Sequence, residues 1–206
     1  METITQTRFI QTFREKGITL FTFSDLEAIF GLRSKATTKL LVSRLFKSGV
    51  ISHLVKGKYL FLLGRTQVSD YQIANYLTVP SYISLETAMS YYSIIDQFPF
   101  QITSVTPMKT KLVTTGEKTY SYSRISPKLY FDYEKIENGV LMATKLKAVY
   151  DYLYLAFKGA RGTNNIDLIN FGRSTITKKQ LRDYIDRVKI KNNKFIQFCK
   201  NNGIYD

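Results

Sequence analysis

Residues 23–61, FSDLEAIFGLRSKATTKLLVSRLFKSGVISHLVKGKYLF, carry the strongest structural signals in this chain of 206 residues. Ser24 and Glu27 have the spacing of a capping box, which marks the start of a helix. Gly31 is placed to end that helix, because glycine tolerates the left-handed conformation that follows a last helical turn. Ser34 is placed to cap a further helix that runs to about residue 48. The stretch therefore predicts two short helices joined by a tight turn.

The second of these helices has an apolar face and a cationic face. Thr38, Leu41, Val42 and Leu45 recur at the spacing of one buried helical stripe. The opposite face collects the side chains of Lys35, Lys39, Leu40, Ser43, Arg44 and Lys47. Leu40 has two interpretations, contact with a thymine methyl group or packing on an earlier helix.

The sequence pattern changes from helical to strand-like after Gly49. The run VISHLVKGKYLFLL predicts two strands joined in a hairpin whose basic tip is KGK at residues 56–58. His53 is expected to be a half-buried residue of the first strand. Upstream, RFIQTFREKG predicts a helix that ends at Gly17. The order of three helices and a basic hairpin predicts a winged helix-turn-helix.

This architecture predicts how the chain contacts double-stranded DNA. The second helix of the turn unit enters the major groove, and the hairpin lies over a neighbouring phosphate backbone. Because lysines and hydroxyls can donate to base edges, we expect base contacts from Lys35, Thr37, Lys39 and Ser43. Phosphate contacts, which set the register, are expected from Arg33, Arg44, Lys47, Lys56 and Lys58. Ser34 lies beside these residues at the start of the helix.

The composition is that of a globular protein and excludes several kinds of chemistry. Hydrophobic residues make up 44% of the chain, and a formal net charge of +14 suits an anionic partner such as nucleic acid. A single cysteine excludes a disulfide framework, and a single histidine excludes zinc sites that need several imidazoles. The N-terminus lacks the apolar segment of a secretion signal, and no apolar run reaches the length of a membrane span. We therefore expect a soluble, cytoplasmic protein without a membrane partner.

The positive charge is concentrated near the N-terminus. Residues 1–66 carry 11 Lys and Arg against 4 acidic residues. Between Arg65 and Lys109 there is no Lys or Arg, and this segment contains only the charged residues Asp70, Glu86 and Asp96. The change predicts a winged-helix domain at 1–66 and a second domain at 67–206.

The second domain is expected to be α+β. DYQIANYL, SLETAMSYYSII and KLKAVYDYLYLAF predict helices, and Thr177 with Gln180 forms a capping box that opens another. Short strand-like runs between residues 100 and 143 are separated by turn signals such as Asn138 followed by Gly139. Consecutive runs with tight turns predict an antiparallel meander covered by helices.

No catalytic constellation is evident in the second domain, and no enzyme activity or cofactor is predicted. Asp132 and Glu134 lie two residues apart on an expected strand, so their side chains share one face. Two carboxylates on one face could bind a cation, but a solvent-exposed strand face is the simpler interpretation. Cys199 falls on an apolar helical stripe and is expected in the core.

Tyrosine is abundant in the second domain. Most tyrosines fit half-buried strand positions, but tyrosine is also enriched at protein interfaces. The residues that we select as a candidate protein interface are Tyr91, Tyr92, Tyr120 and Tyr122.

Four segments together resemble a known family. FSDLEAIFG, SRLFKSGVISHLVKGKYLF, PSYISLETAMSYYSII and KLKAVYDYLYLAFKG are similar to the antitoxin and transcriptional regulator of AbiE abortive-infection systems, over about residues 5–200. The resemblance implies an N-terminal winged helix that represses its operon promoter by binding inverted repeats. It also implies a C-terminal domain that neutralises a co-encoded toxin of the nucleotidyltransferase class, in a system of phage defence.

The sequence is therefore compatible with three functions. The first is a DNA-binding antitoxin and autorepressor. The second is a winged-helix transcriptional regulator whose second domain senses a small ligand. The third is a nuclease or nucleotidyltransferase, which would need Asp132 or Glu134 for metal-dependent activity.

Overall fold

A computed structural model describes residues 4–163, 166–171, 176–188 and 193–205. Within these residues the chain is α+β, with eight α-helices and nine β-strands. It divides into two compact units. The first extends to Leu77 and includes Thr115–Glu117, and the second comprises Thr78–Thr114 and the described residues from Lys118 onward. No helix among the described residues is long and apolar enough to cross a membrane.

The first unit combines four helices with a small antiparallel sheet. Its elements are α1 (Gln6–Glu15), β1 (Leu20–Thr22), α2 (Phe23–Phe30), α3 (Lys35–Lys47), β2 (Ile51–Val55), β3 (Lys58–Phe61) and α4 (Asp70–Leu77). The strand order is β1-β3-β2, and β3 pairs antiparallel with both neighbours. The predicted hairpin is thus present, and β1, which was not predicted, adds a third strand. Helix α4 belongs to the first unit although it lies beyond residue 66.

The start of α2 differs from the prediction by two residues. The capping box is formed by Thr22 and Asp25, not by Ser24 and Glu27. The Thr22 N–H donates to Asp25 Oδ2 at 2.7 Å, and the Asp25 N–H donates to Thr22 Oγ1 at 3.3 Å. Thr22 takes this role because β1 holds it in extended backbone directly before the helix. The helix ends at Gly31 as predicted, with φ of +64°.

A cluster of phenylalanines forms the core of the first unit. Phe9 and Phe13 of α1 and Phe21 of β1 are completely buried, and the ring centroids of Phe9 and Phe13 lie 4.1 Å apart. The predicted stripe of α3, including Leu41 and Leu45, is buried in the same cluster. Since one side of α3 is held in this core, its opposite side is turned to solvent.

The second unit is built around a six-stranded sheet. Its elements are β4 (Tyr82–Ile83), α5 (Leu85–Tyr91), β5 (Ile102–Thr106), β6 (Lys111–Thr115), β7 (Lys118–Arg124), β8 (Tyr133–Lys135), β9 (Leu141–Ala143), α6 (Lys145–Phe157), α7 (Lys178–Arg187) and α8 (Asn193–Asn201). Two 3-10 turns, Pro127–Leu129 and Glu137–Gly139, flank β8. Helix α7 begins with the predicted capping box of Thr177 and Gln180.

The sheet is mixed, so the prediction of an antiparallel meander is wrong. The strand order is β6-β7-β5-β4-β9-β8, and β5 pairs parallel with β7 and β4 pairs parallel with β9. The pattern of burial agrees with this order. The exposed strand β6 occupies an edge, whereas β5, with Thr103–Thr106 buried, lies inside the sheet next to β7. The central strand β4 has only two residues, which is too short for sequence alternation to reveal.

A buried ion pair links α6 to the start of α5 and to β4. Lys147 and Asp151 lie one turn apart on α6, both are buried, and the Lys147 ammonium donates to the Asp151 carboxylate. Tyr82 Oη and Ser84 Oγ donate to Asp151 Oδ2 at 3.0 and 2.8 Å. Burial raises the pKa of Asp151, because removal from water penalises the carboxylate by more than Lys147 and the hydroxyl donors offset. The network ties β4, the start of α5 and α6 to one carboxyl group.

We predict that Asp151→Ala lowers the free energy of unfolding by about 3–5 kcal/mol, because it leaves the buried Lys147 ammonium without its partner. Urea unfolding followed by circular dichroism measures the change. Asp183→Ala, which removes an exposed carboxylate from α7, is the matched control and should change the stability by no more than about 0.5 kcal/mol. Equal effects of the two substitutions would contradict the proposed importance of the network.

Candidate nucleic-acid interface

The outer side of α3 presents an exposed row of basic and polar side chains. We call the α3 face the set Arg33, Ser34, Lys35, Lys39, Ser43 and Lys47, all of which are exposed. Thr37, a further candidate for base contact, is partly buried. Helix α3 contains no acidic residue, so no carboxylate on the helix itself neutralises these cations. The face can therefore offer donors to anionic groups along the length of the helix.

Two of the predicted phosphate contacts are already engaged within the protein. Arg44 is exposed, but its Nη2 donates to the Ile4 carbonyl at 3.4 Å. Lys58 is half-buried, and its ammonium donates to the carbonyl oxygens of Tyr76 and Leu77, the latter at 3.2 Å. The Lys58 Nζ also lies 4.8 Å from the centroid of the Tyr76 ring. Lys58 thus satisfies the C-terminal carbonyls of α4, a role that its position in a hairpin does not reveal.

The hairpin tip places one cation in solvent. Lys56 is exposed, and Gly57 has φ of +80°, a left-handed conformation that favours glycine at this turn. The register shifts between His53 and Val55, so the hairpin is irregular near its tip. His53 is exposed, which corrects the expectation that it is half-buried.

Two large apolar side chains lie among the cations of α3. Leu40 is 63% exposed, so of its two interpretations the structure favours a solvent-facing side chain over packing on α1. Phe46 is 55% exposed and belongs to this surface, although it was not among the residues predicted to contact DNA. The signal was available, since Phe46 falls outside the stripe formed by residues 38, 41, 42 and 45.

The candidate tyrosine interface is only partly at the surface. Tyr91 is exposed, and Tyr92 is half-buried with its hydroxyl donating to the Ala143 carbonyl at 3.0 Å. Tyr120 and Tyr122 are buried in the core, which corrects their selection as interface residues. The reason is the strand order, because β7 lies between β5 and β6 and its alternate side chains fill the interior.

Asp132 and Glu134 do not form the expected pair on one strand. Asp132 precedes β8, has φ of +58°, and accepts hydrogen bonds from Tyr184 Oη at 2.7 Å and Thr144 Oγ1 at 3.0 Å. Glu134 Oε1 lies 3.3 Å from Tyr92 Oη, the hydroxyl that donates to the Ala143 carbonyl. The described residues contain no group of three His, Cys, Asp or Glu side chains that could hold a metal ion. Cys199 is buried as expected, and burial raises the pKa of its thiol to about 12.

A cleft of about 720 Å³ opens beside Asp132 in the second unit. Its walls are the side chains of Lys128, Phe131, Asp132, Thr144, Leu146, Tyr184, Arg187 and Val188. The cleft has the volume of a small-molecule site. Its walls combine two cations, one carboxylate and an apolar surface.

Comparison with known proteins adds no assignment, since no protein-family model and no curated protein matches this chain. The resemblance to the AbiE regulators therefore stays a prediction.

We predict that Lys58→Met lowers the free energy of unfolding by about 1–3 kcal/mol, since it removes a charged donor from the carbonyls that end α4. Lys56→Met at the exposed tip of the same hairpin is the matched control and should change the stability by no more than about 0.5 kcal/mol. Thermal and urea unfolding distinguish the two. If both variants are as stable as the parent protein, Lys58 does not serve α4 as described.

Proposed function

We propose that this protein is a DNA-binding antitoxin that represses the promoter of its own toxin–antitoxin operon. In this proposal the first unit is a winged helix-turn-helix in which α2 and α3 form the turn unit and β2 and β3 form the wing. The observation that carries the proposal is the α3 face, an exposed, acid-free row of donors on a helix whose other side is buried.

The arrangement of side chains supports separate roles within this surface. Lys35, Lys39 and Ser43 lie along the exposed side of α3, where a helix in the major groove meets base edges. Arg33 precedes the helix and Lys47 ends it, and cations at those positions suit the phosphates that border the groove. Leu40 offers an apolar contact to a thymine methyl group. Lys56 extends the basic surface at the hairpin tip.

The second unit carries the antitoxin role in this proposal. It neutralises a co-encoded toxin of the nucleotidyltransferase class, as the resemblance to the AbiE regulators implies. The resemblance also implies inverted repeats in the promoter as the operator, and two-fold related half-sites of that kind bind a pair of identical DNA-binding units.

We predict that Lys39→Ala weakens binding to the upstream DNA of its own gene by about 1–3 kcal/mol and relaxes sequence preference, since it removes a base contact. Lys47→Ala should weaken binding to operator and unrelated DNA alike, because a phosphate contact carries no sequence information. Fluorescence anisotropy with labelled operator and scrambled duplexes measures both effects.

Lys16→Ala provides the control for these two variants, because Lys16 is an exposed lysine that follows α1 and lies outside the α3 face. Its affinity for both duplexes should match that of the parent protein. The proposal fails if Lys39→Ala binds the operator as tightly as Lys16→Ala does.

The cleft beside Asp132 favours one second candidate, a transcriptional regulator that senses a small ligand. Its mixed lining of cations, carboxylate and apolar side chains would hold a small polar molecule. Growth of cells that express the adjacent reading frame separates the candidates. An antitoxin restores growth that the neighbouring product inhibits, whereas a ligand sensor has no such effect.

A further inference from the structure

The cleft of about 720 Å³ beside Asp132, which we call the Asp132 cleft, has the form of a ligand site. Its volume lies in the range of pockets that hold small organic molecules. Its lining comes from separate parts of the second unit, which include the 3-10 turn Pro127–Leu129, the start of α6 and the end of α7. The chain therefore brings distant segments together around one concave surface.

Both cations of the cleft have donors that the described part of the protein does not use. Lys128 is exposed and makes no hydrogen bond, ion pair or ring contact within these residues. Arg187 donates through Nε to the Asp183 carbonyl at 3.2 Å, and its guanidinium lies 5.9 Å from the centroid of the Tyr184 ring. Its two Nη groups make no hydrogen bond within the same residues, and such groups bind anionic oxygens in pairs.

The carboxylate of the cleft is bound by hydroxyl groups and not by the two cations. Tyr184 Oη and Thr144 Oγ1 both donate to Asp132 Oδ2, at 2.7 and 3.0 Å. Among the residues that the structure describes, none donates a hydrogen bond to Asp132 Oδ1. The Asp132 cleft thus offers an open acceptor beside two cations.

The acceptor and the aromatic wall of the cleft are held in place. Asp132 has φ of +58°, a left-handed conformation that is uncommon for residues other than glycine. The Thr144 N–H donates to the Asp132 carbonyl at 3.1 Å and so ties it to the start of α6. The Phe131 ring lies beside the buried Lys147, whose Nζ is 4.9 Å from the ring centroid. Such preorganisation reduces the entropy that binding must offset.

The lining indicates three chemical groups in a ligand. Two cations from different segments suit a phosphate, because it carries more negative charge and more acceptor oxygens than a carboxylate does. The side chains of Phe131, Leu146 and Val188 suit a planar ring. Asp132 Oδ1 suits a hydroxyl or amino donor. A nucleoside monophosphate combines these three groups in one small molecule.

We infer that the Asp132 cleft binds a nucleoside monophosphate. The phosphate binds at Lys128 and Arg187. The base packs on Phe131, and a ribose hydroxyl or a base amino group donates to Asp132 Oδ1. This site lies within the second unit and goes beyond the proposed antitoxin function. It also gives the second candidate, a ligand-sensing regulator, a class of ligand.

The test uses the full chain and isothermal titration calorimetry with adenosine, guanosine, cytidine and uridine monophosphates. At least one of them should bind about tenfold more tightly than its nucleoside, which lacks the phosphate, and than inorganic phosphate, which lacks the ring. The double variant Lys128→Ala with Arg187→Ala should weaken that binding by about tenfold or more, since it removes both donors to the phosphate. Lys179→Ala with Lys200→Ala removes two exposed lysines outside the lining and changes the net charge equally. This matched control should bind as the parent protein does.

A second variant tests the aromatic wall. Phe131→Leu keeps an apolar side chain beside Lys147 but removes the aromatic face. It should weaken binding of the nucleoside monophosphate and leave binding of inorganic phosphate unchanged. Circular dichroism compares the fold of each variant with that of the parent protein.

Other results would contradict the inference. Equal affinity for inorganic phosphate would indicate an anion site that does not use the ring, and equal affinity for the nucleoside would exclude a role for the cations. Binding that persists in the double variant would locate the nucleotide elsewhere, such as on the α3 face. Tighter binding of benzoate would indicate an aromatic carboxylate as the ligand. No binding of any of the four monophosphates at millimolar concentration would overturn the inference outright. The proposed antitoxin function stands in each case, because none of these measurements involves DNA or a toxin.

Discussion

The packing of aromatic rings between α1, β1 and β3 is the constraint on which the candidate DNA interface depends. Phe9 and Phe13 stack on each other and meet Phe21 and Phe61 edge to face, with ring centroids 5.0–6.0 Å apart. Aromatic pairs in these geometries stabilise a core beyond the area that they bury. Because the apolar stripe of α3 is buried in the same cluster, this core fixes which side of α3 meets solvent.

Because of this packing, several of the positive charges of the chain lie together on one side of α3. A net charge of +14 is compatible with solvation alone, but the side chains of the α3 face share one side of one helix. The second unit has a different character, with a charged pair buried at Lys147 and Asp151 and two phenylalanines exposed in a segment without cations. In our account the first unit binds DNA and the second carries the antitoxin role.

Local signals in the sequence were sufficient for much of the first unit. The spacing of Leu41 and Leu45, the glycine at position 31 and the KGK tip predicted α3, the end of α2 and the hairpin, because each is set by neighbouring residues. The strand β1 and its cap at Thr22 were missed, since three residues are too few to show an alternation and their pairing with β3 is not local. The mixed sheet was missed for the same reason, because β4 has only two residues and its parallel pairing with β9 is not local.

In the candidate site too, some features were predictable from the sequence and others were not. Exposure of Lys35, Lys39 and Lys47 follows from helical periodicity and was predictable. The contacts of Lys58 with the end of α4 and of Arg44 with Ile4 depend on distant parts of the chain, so no local pattern reveals them. The burial of Tyr120 and Tyr122 likewise follows from the position of β7 in the sheet rather than from the alternation of its sequence.

The central claim, that the α3 face and the hairpin tip bind the backbone of DNA, is tested most directly by the salt dependence of binding to the upstream DNA of this gene. The three predicted phosphate contacts that are not engaged within the protein, Arg33, Lys47 and Lys56, predict that the logarithm of the association constant falls against the logarithm of salt concentration with a slope of about −3. A slope near zero, or no binding at low salt, would contradict the account.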